Sequence, residues 1–260
     1  MFRRHCAACR EHQSGDLSGP LFFYFAGRPF FLCAVKVWDM ASRTIENYLK
    51  QLYLEQQETA NRSVPLGRVA VRVGVTAGTA TTMIKAIAHS GLARYVKRGG
   101  VRLTRQGEEL AILVLRRHRI VELFLVQALG MDWADVHEEA EELEHVISDR
   151  VLEKMDALLN HPVVDPHGDP IPDSKGRLSG GQTKLRPNLV ASEPGRSVRI
   201  ARVLDQSRSF LTFARGHGLA PGALVTVLGV DAGAQAVVVE SAGFPAVTLS
   251  FTVAAKFELV

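Results

Sequence analysis

The chain has 260 residues, of which 47% are hydrophobic and 22% are charged. This composition is typical of globular proteins and excludes collagen-like, mucin-like and wholly disordered chains. The formal net charge of +4 hides a segregation of sign: residues 62–105 contain nine Lys or Arg and no acidic residue, whereas residues 131–160 contain ten acidic and two basic residues. A basic block suits a polyanion and an acidic block suits cations, although either block alone could be a solvated face.

The first 39 residues differ from the remainder of the chain. All three cysteines precede Met40, so no disulfide framework holds the main body, which indicates a reducing compartment and a cytoplasmic location. The apolar run over residues 21–38 is interrupted by Arg28 and Lys36, so we expect no membrane span. We interpret residues 1–39 as a non-conforming extension ahead of a true start at Met40.

Residues 40–105 are predicted to form a winged helix-turn-helix domain. Apolar spacing predicts a helix over 42–58, then a short helix that ends near Gly74 and a second that runs from Thr76 to Gly91. Two short strands follow, around a basic turn at residues 97–100. Two helices joined by a tight glycine-containing turn and followed by a hairpin have the order of a winged helix.

The second helix of this pair and the hairpin turn carry the residues that we expect to contact DNA. Small hydroxyl side chains approach base edges and thymine methyl groups in the major groove, and Lys and Arg reach phosphates. A threonine-rich polar face without a partner is the alternative, but the absence of acidic residues from 62–105 favours double-stranded DNA. The candidate DNA-binding residues are Thr76, Gly78, Thr79, Thr81, Thr82, Lys85, Lys97 and Arg98.

Residues 106–160 are predicted to form a helical domain with helices over about 105–129, 132–146 and up to Leu159. Their apolar positions exceed what such short helices would bury alone, which indicates a dimerisation surface or, equally, an ordinary intramolecular core. A two-fold symmetric homodimer would match a palindromic DNA operator.

The last hundred residues are predicted to contain a linker and a small β module. Proline, glycine and serine are frequent over 161–195, which is typical of a linker. From residue 196 to 260 short β-branched runs alternate with turns, and residues 210–217 have a helical pattern. This pattern predicts a small mixed β-barrel.

The acidic block contains the side chains that most resemble metal ligands. His118 and Glu122 lie at i, i+4 on one predicted helix. Four more ligand-type residues share one face of the next helix, at i, i+4, i+7 and i+8, namely His137, Glu141, Glu144 and His145. Like charges at such spacing destabilise a helix by roughly a few tenths of a kcal/mol each. A bound cation removes that repulsion, so the cluster predicts a metal site.

The chemistry of these ligands restricts the metal. Carboxylates and imidazoles without sulfur favour Mn(II) or Fe(II), although zinc also binds such ligands. Four histidines lack comparable partners in the sequence and are interpreted as surface or turn residues, namely His89, His161, His167 and His217.

The residues 117–122, 136–141, Glu144-His145 and Ser148-Asp149 resemble the diphtheria toxin repressor family. The resemblance extends over nearly all of residues 42–260. It implies a mainly α-helical, homodimeric, metal-activated transcriptional repressor. Such a protein has an N-terminal winged helix, a helical metal-binding and dimerisation domain and a C-terminal SH3-like barrel.

The resemblance also implies two metal sites. Glu141 stands where iron-responsive members have Cys and manganese-responsive members have Glu, which favours the manganese-responsive branch. The implied ligands are Glu141, Glu144 and His145 at a primary site, and His118, Glu122 and His137 at a second site.

Two positions depart from the family pattern. Asn47 stands where manganese-responsive members usually have an Asp ligand on the first helix, so the primary site has a neutral oxygen there unless neighbouring Glu46 contributes. In the family, the C-terminal domain contributes a carboxylate to the second site. The corresponding position in this chain aligns poorly, and Asp205 is the nearest candidate.

These observations predict a manganese-activated repressor of metal-homeostasis genes. Metal would join the first helix to the acidic helix and so fix the orientation of the winged helices. An iron-responsive repressor is the alternative within the family. A carboxylate-bridged metalloenzyme is the alternative outside it. The chain has no Ser/His/Asp grouping and no phosphate-binding glycine loop, so we expect no enzymatic activity.

Overall fold

The computed structural model describes five stretches of the chain, namely residues 22–25, 28–31, 43–59, 63–178 and 186–260. The chain divides into two units, Met1–Thr44 and Ile45–Val260. In the first unit, strands β1 (Phe22–Phe25) and β2 (Arg28–Phe31) pair antiparallel. The expected start at Met40 lies outside the described residues.

The second unit begins with three helices and a hairpin, which confirms the predicted winged helix-turn-helix. The elements are α1 (Arg43–Glu58), α2 (Leu66–Val73), α3 (Ala77–His89), β3 (Ala93–Val96) and β4 (Gly100–Leu103). Gly74 ends α2 in the left-handed region at φ +73°, which allows the sharp turn into α3. Thr76 caps α3, since its hydroxyl accepts a bond from the Thr79 amide.

Three helices follow, α4 (Arg105–Leu129), α5 (Val136–Leu143) and α6 (Asp149–Leu158). The helix predicted from residue 132 begins four residues later. The first residues of the predicted helix form a turn instead. In this turn the Asp132 carboxylate accepts a hydrogen bond from the Ala134 amide and forms an ion pair with Arg215. α5 is therefore a short helix.

Much of the apolar surface predicted for dimerisation is intramolecular core. Leu115, Leu123, Val136 and Leu152 are buried. Other apolar side chains of this part remain at the surface, with relative exposures between 45% and 75%, namely Leu129, Val146, Val151 and Leu158.

Part of the segment predicted as a linker packs against α4. The carbonyl oxygens of Pro170 and Pro172 accept bonds from Arg119 and Arg116. Gly168, at φ +87°, lies so close to the backbone of residue 201 that a Cβ atom would meet its carbonyl oxygen at 2.1 Å. This packing buries a short polar stretch at residues 165–169.

The C-terminal part confirms a small β module. Its elements are β5 (Ser197–Val203), α7 (Arg208–Gly216), β6 (Leu224–Asp231), β7 (Ala236–Ser241), β8 (Val247–Ser250), α8 (Phe251–Ala254) and β9 (Phe257–Leu259). The strands form one sheet in the order β8-β7-β6-β5-β9. Its core also contains Ala134, with Trp133 packed against it, so the sheet is in contact with the helical part. None of the helices in the described residues has the length and apolarity to cross a bilayer.

Candidate metal centre and DNA-binding face

Ligand-type side chains from four segments meet between the winged helix and the helical part. They come from α1, from α4, from α5 with the turn that follows it, and from residues 165–169. They form two adjoining groups, which share His118. We name them the Lys50 cluster (Lys50, Glu141, Glu144 with His118) and the Glu122 cluster (His118, Glu122, His137, Asp165 and His167).

The Lys50 cluster is centred on an ammonium group that is only 2% exposed. Lys50 Nζ donates to Glu141 Oε1 at 2.7 Å and to both carboxylate oxygens of Glu144, at 2.7 and 2.9 Å. His118 Nδ1 lies 3.4 Å from the ammonium and 2.6 Å from Glu144 Oε2. Two carboxylates on the helical part are thus paired with one cation carried on α1.

The imidazole of His145 lies beside this cluster and also contacts α1. Its Nδ1 is 2.5 Å from Glu46 Oε2, and its Nε2 is 2.8 Å from Asn47 Oδ1. The same Nε2 is 3.2 Å from Glu144 Oε1. The structure therefore brings together Glu141, Glu144, His145 and Asn47, together with Lys50, which sequence reasoning did not include.

The Glu122 cluster surrounds a carboxylate that is fully buried. Glu122 Oε1 is 2.9 Å from His118 Nε2 and 3.1 Å from His137 Nδ1, and the two imidazole nitrogens are 3.2 Å apart. On the other side, Glu122 Oε2 is 3.7 Å from His167 Nδ1. The carboxylate of Asp165 joins Glu122 and His167 in a second set of three buried ligand atoms that lie within 4.8 Å of one another.

Two observations indicate that the Glu122 cluster can bind a divalent cation. Glu122 Oε2, Asp165 Oδ2 and His167 Nδ1 are buried and have no hydrogen-bond partner. Buried polar atoms normally have hydrogen-bond partners, and here the nearest charged contacts are longer, Glu122 to His167 at 3.7 Å and Asp165 to Arg119 at 3.5 Å, so these atoms can still accept a closer ligand. The set consists of imidazole nitrogens and carboxylate oxygens, which suits Mn(II) or Fe(II).

Protonation in the Glu122 cluster reflects the crowding of charges. Burial and the Lys50 ammonium oppose the charging of His118, but the carboxylates of Glu122 and Glu144 together outweigh them and raise the pKa of His118 to about 9. Burial and the nearby Asp169 carboxylate raise the pKa of Asp165 to about 7. Although burial works against the Glu122 charge, the facing His118 holds the pKa of Glu122 well below its usual range. Cation binding here would have to release protons from His118 and Asp165.

Two sequence interpretations are corrected by these positions. His167, interpreted as a surface or turn residue, is fully buried, and its Nε2 is 2.9 Å from the Trp133 carbonyl oxygen. Asp205 is placed outside both clusters, because its carboxylate accepts bonds from Lys256 and from the Ser207 amide. Asp165 was missed, and the only sequence signal for it is its position two residues before His167.

The candidate DNA-binding residues lie on α3 and on the turn between β3 and β4. Thr81 is half-buried, and the others are exposed: Thr76, Gly78, Thr79, Thr82, Lys85, Lys97 and Arg98. The Thr81 and Thr82 hydroxyls donate to carbonyl oxygens of the preceding helical turn, at 2.7 and 3.2 Å. Their hydroxyl protons are therefore used within the helix, and their oxygens keep lone pairs that can accept a bond. The arrangement resembles a base-reading helix flanked by basic side chains.

The fold and the buried ligand clusters together define the class of metal-dependent, winged-helix DNA-binding regulators. The family description "Iron dependent repressor, N-terminal DNA binding domain" matches residues 40–101. "Iron dependent repressor, metal binding and dimerisation domain" matches residues 104–173, and "FeoA domain" matches residues 188–257. The chain belongs to the iron-dependent, or diphtheria toxin, repressor family and is a metal-dependent transcriptional repressor. This family is one of DNA-binding repressors, which removes the metalloenzyme alternative.

Relatives named for iron and for manganese are both similar to this chain. The iron-dependent repressor IdeR of Mycobacterium tuberculosis is 31% identical over 206 residues, covering 75% of this chain and 88% of that protein. A solved manganese-dependent transcriptional repressor with manganese has a TM-score of 0.71 at 35% identity, over 83% of this chain and 98% of that one. The manganese regulator SloR has a TM-score of 0.65 at 30% identity, over 83% and 97%.

Proposed function

We propose that this chain is a manganese-activated repressor of metal-homeostasis genes, acting as a homodimer on a palindromic operator. Metal bound in the helical part would fix the winged helices in the orientation that DNA requires. The observation that carries the proposal is the contact between the two parts: Glu46, Asn47 and Lys50 of α1 touch the ligand-type side chains of α5 and its following turn. Binding to DNA would place the protein in the cytoplasm.

The chemistry of the donors supports manganese. All ligand atoms of the Glu122 cluster are imidazole nitrogens or carboxylate oxygens. Glu141 presents another hard carboxylate, at a position where a thiolate would favour softer metals. His118, Glu122 and His137 would hold the metal on one side of Glu122, and Asp165 and His167 would contribute from the other side. Glu144, His145 and Asn47 would complete the primary site beside Glu141.

The homodimer is supported by the apolar surface of the helical part. Leu129, Val146, Val151 and Leu158 are large apolar side chains at the surface of neighbouring segments. A symmetric contact through this surface would present two α3 helices to successive major grooves about 34 Å apart. The domain division we propose is 40–105 for DNA binding, 106–160 with the packed residues 163–172 for metal and dimer contacts, and 196–260 for the SH3-like module.

Iron is the second candidate, favoured by the name of the iron-dependent repressor IdeR among the relatives. Fe(II) prefers much the same nitrogen and oxygen ligands as Mn(II), so this donor set accepts both ions. The two candidates are distinguished by comparing the free Mn(II) and free Fe(II) concentrations at which DNA binding begins; the natural activator should act at the lower concentration.

Capture of genomic DNA tests the proposed function. The full chain is incubated with fragmented genomic DNA at fixed salt, with Mn(II), with anaerobic Fe(II) or with chelator, and the captured fragments are sequenced. We expect a palindromic site near metal-transport genes to be enriched with Mn(II) and lost with chelator. Equal, sequence-indifferent capture in all conditions would reject metal control and leave only electrostatic binding.

Variants of the DNA-binding face separate metal binding from DNA binding. Lys85→Ala and Arg98→Ala should weaken capture, and each should reduce the slope of log K against log salt by about one per phosphate contact removed. Mn(II) affinity should be unchanged, because these side chains are exposed and lie outside both clusters. Lys154→Ala, on α6, is the matched control, and we expect it to leave DNA capture unchanged.

A further inference from the structure

A cation already lies where the primary metal site is expected. The Lys50 ammonium contacts Glu141, both oxygens of Glu144 and His118, with all four distances between 2.7 and 3.4 Å. His118, Glu141 and Glu144 also form one of the three sets of side chains that could hold a metal in the described residues. The ammonium therefore touches every member of that set.

The burial of Lys50 requires this arrangement. A lysine that is 2% exposed is costly to keep charged unless its protons have partners, and three carboxylate oxygens provide them. The same oxygens would have to turn to a divalent ion for it to bind there. Two cations cannot share one set of ligands at such distances, because their repulsion in a buried site is strong.

We propose that Lys50 is a tethered cation that occupies the metal position between Glu141 and Glu144, so that a metal ion binds these carboxylates only by displacing it. This inference rests on the proposed function, because it concerns the same primary site. It has two consequences. Without metal, Lys50 holds α1 against α5 by charge. With metal, the primary site fills only at a metal concentration that displaces the ammonium.

A metal titration of the full chain tests the displacement. Free Mn(II) is followed by electron paramagnetic resonance for the unchanged chain and for Lys50→Met, which keeps an unbranched side chain, shorter by the terminal nitrogen, and removes the charge. We expect the variant to bind Mn(II) at the primary site about 10- to 100-fold more tightly, the range that changes next to metal ligands produce. Lys154→Met, an exposed lysine on α6, should match the unchanged chain. Identical binding curves for Lys50→Met and the unchanged chain would overturn the inference.

A second measurement needs no variant and covers the case in which Lys50→Met does not fold. Lysines of the unchanged chain are acetylated with a water-soluble reagent and quantified by mass spectrometry, with chelator and with saturating Mn(II). Lys50 should be protected with chelator and should become several-fold more reactive with Mn(II), because a displaced ammonium must reach solvent. Exposed Lys154 should react equally in both conditions. Protection of Lys50 that persists at saturating Mn(II) rules out displacement.

The results also separate this inference from the proposed function. If Mn(II) drives DNA capture but Lys50 neither changes Mn(II) affinity nor becomes reactive, only the tethered cation is rejected. If neither the unchanged chain nor Lys50→Met binds Mn(II), both the tethered cation and the proposed function fail.

Discussion

The Lys50 cluster and the Glu122 cluster contain similar ligands but differ in what neutralises them. Both combine carboxylates with imidazoles, and His118 belongs to both through its two ring nitrogens. In the Lys50 cluster an ammonium satisfies Glu141 and Glu144. In the Glu122 cluster, Glu122 and two further side chains keep buried atoms without hydrogen-bond partners.

The difference shows that an acidic cluster does not by itself define a metal site. The two clusters have the same ligand chemistry, so the deciding factor is whether another segment provides a cation. α1 provides one to the Lys50 cluster. The segment 165–169 brings two more ligand-type side chains to the Glu122 cluster. The first cluster is therefore a junction that is closed without metal, whereas in the second cluster a metal ion would have to replace the proton of His118.

The largest effect is expected when the Lys50 cluster loses its cation. Lys50→Met removes the ammonium from Glu144, which is fully buried and retains only the imidazoles of His118 and His145 as charge partners. Removing one member of a buried ion pair destabilises a protein by about 3–5 kcal/mol. Denaturant unfolding with chelator should show a loss of this order, and added Mn(II) should restore most of it by taking the vacated place. An equal loss with and without Mn(II) would contradict the comparison, and Lys154→Met should show neither effect.

This residue also shows where sequence reasoning stops. The pairs His118–Glu122 and His137–Glu141 were predictable because each lies on one helix at i, i+4, and the winged helix was predictable from helix spacing and turn residues. Lys50 was not, because its carboxylate partners are 91 and 94 residues away. An isolated lysine on an amphipathic helix is normally solvated, and only the packing of α1 against α5 buries it.

The segment 165–169 was unpredictable for a different reason. Its neighbours are rich in proline and glycine, which is typical of an exposed linker. Two arginines on α4 reverse that expectation by bonding to the carbonyl oxygens of Pro170 and Pro172, which directly follow the segment, and Asp165 and His167 are buried. His167 was interpreted as a surface or turn residue; it lies in a turn but is buried, because these contacts join segments that are far apart in the sequence.

The second prediction removes the centre of the Glu122 cluster. Glu122→Gln retains the shape of the side chain but loses the charge that faces three imidazoles. Mn(II) affinity should fall by about 100-fold or more, because changes beyond the direct ligands already cost about 10- to 100-fold. Isothermal titration measures it, with Glu139→Gln on the exposed face of α5 as control. If the Mn(II) affinity of Glu122→Gln is unchanged, the metal binds at the Lys50 cluster and not at the Glu122 cluster, contrary to this prediction.

The third prediction uses the residue that the clusters share. The pKa of His118 is raised to about 9, so its charged form contributes stability that is complete below pH 6.5 and is lost as the pH rises through 9. The free energy of unfolding of the metal-free chain should therefore fall by about 3 kcal/mol between pH 6.5 and 9.5. The protonated form of Asp165, whose pKa is raised to about 7, also contributes to the free energy of unfolding. This contribution is complete below about pH 4 and is lost as the pH rises to 7.

Unfolding curves at several pH values with chelator check this dependence. His118→Gln should flatten the curve above pH 6.5, and a curve that stays steep in this variant would assign the effect to another group. Mn(II) must replace the His118 proton, so stabilisation by Mn(II) should be larger at pH 8.5 than at pH 6.5. That increase should persist in Lys50→Met if the Glu122 cluster holds the first ion.

The smallest effect concerns Thr76, which lies outside both clusters and supplies a metal-independent reference. Its hydroxyl caps α3, so Thr76→Ala should lower the free energy of unfolding by about 1 kcal/mol, equally with chelator and with Mn(II).

Thr76→Ser retains the cap and removes only the methyl group. If Thr76→Ser keeps full stability yet weakens operator binding in an anisotropy titration with Mn(II), the methyl group contacts a base. If operator binding is retained in Thr76→Ser, Thr76 serves α3 only as a cap, and base contacts must come from its neighbours. A loss in Thr76→Ala that depends on Mn(II) would mean that α3 is coupled to the metal clusters already in the free protein.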